Sequence, residues 1–195
     1  VQSYRLEGIH LADSITFNPQ KWLYVTKTCA SVLFRDITCL QDHFRISAPY
    51  MNQPADWTNL GEIALQGTRH GDSLKLWLAL QHLGKAGYAA LIEISYALTQ
   101  VMVDCINQRS HLTLACPPAM NLVCFRSCPT SLPESQWDDW NSYLQKELLA
   151  KGEVFFSLPW WRGQRWLKAV LLNPYTTEEH IKHWFALLDS LSELT

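Results

Sequence analysis

The 195-residue sequence predicts an α/β protein in two parts, residues 1–109 and 110–195, the second an α+β unit. Three observations predict it. Two short β-branched segments stand near the start; from Asp72 the apolar spacing becomes helical; beyond residue 110 strand-like pairs alternate with single helices. After the first strand the order reads βααββαββα.

Residues 13–18 (DSITFN) read as a short strand closed by Asn18-Pro19, and CASVLFRD (29–36) as a second. Between Asp36 and Gly67 the pattern weakens into a long loop carrying Pro49 and Pro54. A loop that long inside a compact domain usually serves function. Leu74, Trp77, Leu78, Leu80 and Leu83 then form one helical face that Gly84 stops. A second helix over 86–108 follows, with Leu91, Ile94, Leu98, Val101 and Ile106 at helical spacing. Residues 112–118 and 121–129 read as strands joined by a Pro-Ala-Met turn. Ser135 is expected to cap a helix that ends at Gly152. Strands 154–161 and 165–173 flank an Arg162-Gly163-Gln164 turn, and Thr176 or Thr177 caps a last helix led by Glu178 and Glu179.

Hydrophobic residues make up 48% of the chain and charged residues 17%, which describes a globular protein with much buried surface. The net charge is −2 and no basic run exceeds two residues, arguing against nucleic acid or an anionic membrane surface as partner. No apolar stretch approaches the ~18 residues of a membrane span. The six cysteines form no CxxC pair, so reduced thiols and a cytoplasmic setting are expected. Cys124 and Cys128 match zinc-ligand spacing only loosely, and no metal is expected. His180 and His183 read as a solvated helix face.

The segment SITFNPQKWLYV (14–25) sets one lysine, Lys21, among apolar and β-branched residues just after an Asn-Pro turn. Burying an ammonium group is costly unless it is paired or neutral. A structural ion pair is one solution. The other is an amine placed past the C-terminal end of a strand, where α/β sheets hold ligands, and used as a nucleophile. The residues alone leave both open.

ADSITFNPQKW resembles the Schiff-base lysine motif of the group II pyridoxal-phosphate decarboxylases, which act on aromatic amino acids, glutamate, cysteine sulfinate or diaminobutyrate. Three further blocks are similar to that family in the same order: GTRHGDSLKLWLALQHLGKAG (67–87), NLVCFRSCP (121–129) and WLKAVLLNPYTTEEHI (166–181). The resemblance implies the end of a fold type I large domain over 1–109 and the small C-terminal domain over 110–195. It implies pyridoxal 5'-phosphate as cofactor, release of CO2 and an amine from an L-amino acid, and a homodimer of the complete enzyme.

Residue by residue, it implies that Lys21 binds the cofactor aldehyde and that Asn18 and Gln20 help hold its phosphate. The family carries His where Gln20 stands; Gln can donate an N–H but adds no positive charge. Tyr50, 29 residues after Lys21, matches a catalytic-loop tyrosine that returns a proton to substrate carbon in the neighbouring subunit's site. Tyr rather than Phe there favours simple decarboxylation over aldehyde formation. Lys168 stands where the family places an Arg that pairs with the substrate carboxylate; Lys keeps the charge and loses the fork. Arg162 or Arg165 could supply one. Thr68 takes the place of a glycine whose N–H approaches the phosphate across the dimer interface. The ring-stacking residue, the carboxylate on the ring nitrogen and the main phosphate loop have no counterpart here. The expectation is a portion of a longer enzyme, inactive without its N-terminal part. Trp22, Tyr24, Phe34 and Trp77 are expected to face the missing elements. The alternatives are a non-catalytic relative of the same fold and an aldehyde-forming enzyme.

Overall fold

The computed structural model describes residues 3–46 and 59–192. They divide into two compact units, residues 1–88 and 89–195.

In the first unit two 3-10 turns precede β1 (Ser14–Phe17). Ser14-Ile-Thr-Phe alternates in burial, and it pairs antiparallel with β2 (Ser31–Phe34), Ser14 opposite Phe34 and Phe17 opposite Ser31. The ribbon is two-stranded among the described residues. The long loop of the sequence reading contains a helix, α1 (Thr38–Phe44), which buries no residue. Asp36 starts it by accepting from the Thr38 N–H and hydroxyl at 2.9 and 2.7 Å. These local bonds substitute for the apolar periodicity the segment lacks. Residues 45 and 62 are joined by the Arg45 guanidinium donating to the buried Glu62 carboxylate at 3.0 Å.

Helix α2 (Asp72–Asn107) begins in this unit and is broken at Gly84, whose φ of 61° is open to glycine at little cost. The sequence reading placed its stop there. The division into units falls inside α2, past that break. Contrary to the expectation above, α2 is long and apolar enough to cross a membrane, with an 18-residue window of mean hydropathy 1.4. Its scattered Ser, Thr and Gln conceal this in a search for unbroken apolar runs. A core helix passes the same test, and the second unit uses α2 that way.

There the core joins Leu98, Met102, Cys105 and Ile106 of α2 to the inner face of a three-stranded antiparallel sheet. The sheet is ordered β3 (Leu112–Leu114), β4 (Leu122–Ser127), then β7 (Leu167–Val170). Val123 and Phe125 of β4 and Leu167 and Ala169 of β7 are buried, as the period of two requires. Trp140, Leu144 and Leu148 of α3 (Trp137–Ala150) and Ile181, Phe185 and Leu188 of α4 (Glu178–Ser192) complete it. Each such side chain contributes about 1.5–3 kcal/mol by leaving water. Phe125 meets Phe156 edge-on, centroids 5.4 Å apart.

Three end details depart from or sharpen the sequence reading. Ser135 does not cap α3: Pro133 opens a 3-10 turn, with the Gln136 N–H on the Pro133 carbonyl at 2.9 Å, and the α-helix starts at Trp137 without a side-chain cap. Thr177 does begin α4, its Oγ1 accepting from the His180 N–H at 3.4 Å. The 154–161 strand shortens to β5 (Trp160–Trp161) plus a bridge from Ser157 to Lys168, because Pro159 has no N–H to give the ladder. β5 returns as β6 (Gln164–Arg165) through Arg162-Gly163, both at positive φ, the geometry of a tight primed hairpin turn.

Candidate functional site

Lys21 lies on the turn that follows β1, held by backbone bonds on both sides. Its N–H donates to Asn18 O at 3.0 Å, the Tyr24 N–H donates to Lys21 O at 3.1 Å, and the Val25 N–H reaches Pro19 O at 3.1 Å. Pro19 and Val25 are buried beneath it. The Tyr88 hydroxyl donates to Leu23 O at 2.9 Å, fixing the turn to α2. Tyr24 closes the turn at φ 55°, a conformation costing a bulky residue about 1–3 kcal/mol. Strain of that kind persists where the surroundings over-determine a backbone, and here four hydrogen bonds do so.

On this rigid turn three polar groups are uncommitted. Lys21 is exposed and makes no ion pair among the described residues, so the salt-bridge solution left open by the sequence is not seen among them. Asn18 Oδ1 is buried with no hydrogen-bond partner. Amide oxygen and nitrogen exchange by a half-turn of the side chain, so this position can serve an incoming acceptor or donor. Gln20 spends its carbonyl: Oε1 accepts the Cys29 N–H at 2.9 Å while the Gln20 N–H donates to Cys29 O at 3.4 Å. Its Nε2 is left as a donor. An amine, a free amide donor and an orphaned amide within four residues suit an aldehyde-bearing anion such as pyridoxal phosphate. The donor set fits that cofactor.

The remaining candidates lie on other segments of the chain. Thr68 is exposed in the segment before α2. Tyr50 lies outside the described residues. Lys168 belongs to the second unit, on β7 with Cys124 as its partner on β4 and Ser157 on its other side. Leu167 and Ala169 face the core, so Lys168 points to the opposite face, half-buried and with no ion pair among the described residues. Burial pushes the Cys124 thiol up, and the Lys168 charge opposes this. The other arginines proposed as a fork are engaged. Arg162 lies 4.4 Å over the Trp161 ring, and Arg165 lies 4.3 Å over Trp160 with Nη1 reaching Leu158 O at 3.4 Å.

Sequence reasoning missed the groups that steady these elements. Asp72 binds Lys75 and Cys29, Lys75 binds Thr28 O and Cys29 binds Gln20 of the lysine turn, and Arg126 and Asp138 brace β4 against the β6–β7 arm. Arg126, almost fully buried, donates to Asp138 at 2.7 Å between the Trp137 and Trp166 rings. The same Asp138 oxygen accepts the Arg165 N–H at 2.8 Å. An arginine inside an otherwise apolar strand was the available signal. His180 and His183, read as solvated, make surface bonds: His180 to Thr177 N–H at 3.1 Å, His183 to Glu153 at 2.6 Å.

Residues 1–128 match the family described as pyridoxal-dependent decarboxylase conserved domain. The chain is 31% identical over 188 residues to L-2,4-diaminobutyrate decarboxylase of Acinetobacter baumannii, covering 93% of this chain and 36% of that protein. It is 26% identical over 196 residues to aromatic-L-amino-acid decarboxylase of Bacillus atrophaeus, covering 98% of this chain and 41% of that one. Among solved structures, mouse CSAD in apo form superposes with TM-score 0.81 at 27% identity, over 96% of this chain and 41% of that chain. Oryza sativa TDC with PLP and tryptamine superposes at 0.89 with 23% identity, over 98% and 41%, a likeness of fold. The chain thus spans about two fifths of the length of these relatives. It belongs to the pyridoxal-dependent decarboxylase family, whose cofactor is pyridoxal phosphate.

Proposed function

We propose that this chain is part of a pyridoxal-phosphate-dependent L-amino-acid decarboxylase that releases CO2 and an amine. The observation carrying the reading is the lysine turn: a family member presents Lys21, without an ion pair among the described residues, on a pinned backbone beside the free Nε2 of Gln20 and the unpartnered Oδ1 of Asn18. When bound, the cofactor supplies the electron sink that lets a carboxylate leave an amino acid. Lys21 holds the cofactor through its amine, and Gln20 Nε2 and Asn18 bind the phosphate. The Thr68 N–H adds a donor from a partner subunit. Lys168 pairs with the substrate carboxylate and orients the bond to be broken. Tyr50 returns a proton to the substrate carbon.

Activity needs polypeptide equivalent to the rest of the relatives' length, and the working form is a homodimer. All six cysteines are free, which supports a reducing, cytoplasmic setting. The test is to add cofactor to the full-length protein and assay CO2 from diaminobutyrate, glutamate, cysteine sulfinate and aromatic amino acids. Lys21→Ala must lose both CO2 release and the visible band of lysine-bound cofactor while keeping its fold. A folded protein that takes up cofactor through another group would overturn the reading. The second reading, a non-catalytic relative, draws on Gln20 and Lys168 in place of the family's His and Arg. CO2 release from any of these amino acids removes it. Ammonia and peroxide appearing with the product would instead mark the aldehyde-forming reaction.

A further inference from the structure

We propose that Lys75 is a positioning residue for cofactor binding: it anchors residues 28–29, which clamp the Gln20 amide so that Nε2 is its free end. The proposal rests on the reading that Gln20 meets the phosphate. An unrestrained glutamine presents either end of its amide to a ligand, and only the NH2 end suits a phosphate oxygen. Selecting that end in advance removes an ordering cost from binding.

The selection is built from a chain of contacts in the first unit. Cys29 engages Gln20 twice, through N–H to Oε1 at 2.9 Å and through its carbonyl from the Gln20 N–H at 3.4 Å. Residues 28–29 have no place in β2, which starts at Ser31. They are held instead from the start of α2. Lys75 Nζ donates to Thr28 O at 3.0 Å and pairs with Asp72 at 2.6 Å, and the buried Cys29 Sγ donates to Asp72 O at 3.7 Å. The Lys75 ammonium therefore bridges the helix start to the segment behind the active lysine. Without it, only the weak thiol contact ties residues 28–29 to the start of α2, and the Cys29 N–H that fixes the Gln20 oxygen loses most of its support.

The readout is the ratio of dissociation constants for pyridoxal and pyridoxal phosphate, from tryptophan fluorescence of the full-length protein. Both ligands offer the aldehyde to Lys21, and only one offers the phosphate. In Gln20→Leu the ratio is expected to fall about tenfold, the scale of one hydrogen bond to a charged group. In Lys75→Met it falls several-fold with pyridoxal affinity unchanged, and Lys75→Arg restores it. If Gln20→Leu lowers the ratio and Lys75→Met does not, the positioning role of Lys75 is wrong and the phosphate reading stands. An unchanged ratio in Gln20→Leu removes Gln20 from the phosphate site and this inference with it. Equal weakening of both ligands in Lys75→Met marks a merely structural residue and also overturns the proposal.

Discussion

Two cations show opposite treatment by the same chain. Arg126 on β4 is buried, donates to a carboxylate and lies between two indole rings. Lys21 is exposed on a turn pinned from several sides and has no ion pair among the described residues. A buried charge must be compensated within the fold, so Arg126 is bound to its surroundings and has nothing left for a ligand except an unpartnered Nε. Lys21 has the reverse arrangement: its backbone is immobilised and its amine is left over. Order in the main chain combined with unspent polarity in the side chains is how a site for a missing group differs from a structural ion pair.

The contrast predicts opposite phenotypes. Lys21→Ala is expected to abolish decarboxylation and the lysine-bound cofactor band while moving unfolding stability by no more than about 0.5 kcal/mol, because an exposed unpaired side chain carries little of the fold. Asp138→Ala is expected to do the opposite. It leaves the Arg126 charge buried and uncompensated and costs about 3–5 kcal/mol in urea unfolding. Replacing both partners with apolar residues should recover much of that loss. A large stability loss in Lys21→Ala, or none in Asp138→Ala, would erase the distinction.

How much of this was legible in the sequence follows from the range of the interactions. Helix α2 with its stop at Gly84, the end of α3 at Gly152 and the cap at Thr177 are set by spacing and by residues one turn away, and they stand where expected. Helix α1 was not, because TCLQDHF buries nothing and so carries no apolar period. Ser135 has the right side chain for a cap but follows Pro133, whose 3-10 turn displaces the helix start. At the site, the motif located Asn18, Gln20 and Lys21. It could not show that Gln20 binds Cys29 or that Lys75 binds Thr28, since those partners are nine and 47 residues apart and nothing in either side chain names the other. Lys168 was placed by resemblance. Its direction, away from the core, comes from the alternation of Leu167 and Ala169 about it.

Lys168 extends the comparison to a third cation, half-buried and without an ion pair among the described residues. If it too is held for a ligand, Lys168→Met should raise KM for the amino acid about tenfold or more with a smaller change in stability, since a charge-assisted contact is lost only in the complex. Lys168→Arg should lower KM below that of the natural protein, the fork orienting the carboxylate better than a point charge. Steady-state kinetics of the three proteins decide it; an unchanged KM in Lys168→Met would return the residue to the structural class beside Arg126.

His111 falls between the classes and carries the smallest effect. Burial lowers its pKa; the Asp189 carboxylate 3.9 Å away opposes the shift, and the Arg109 charge adds to it. Asp189 cannot serve His111 fully because Arg109 already holds it by three contacts of 2.6 to 3.0 Å, and His111 Nε2 has no hydrogen bond of its own. With the folded pKa below the ordinary value near 6.5, the unfolded chain binds the proton first as pH falls. Above that pH the imidazole is neutral in both states and contributes no slope. Below it, stability declines until the folded-state value is passed. Urea unfolding between pH 7.5 and 5 should therefore show a loss on acidification that is smaller in His111→Gln. Equal slopes in the two proteins would mean that Asp189 does stabilise the imidazolium, and that this ring is as well compensated as the Arg126 guanidinium.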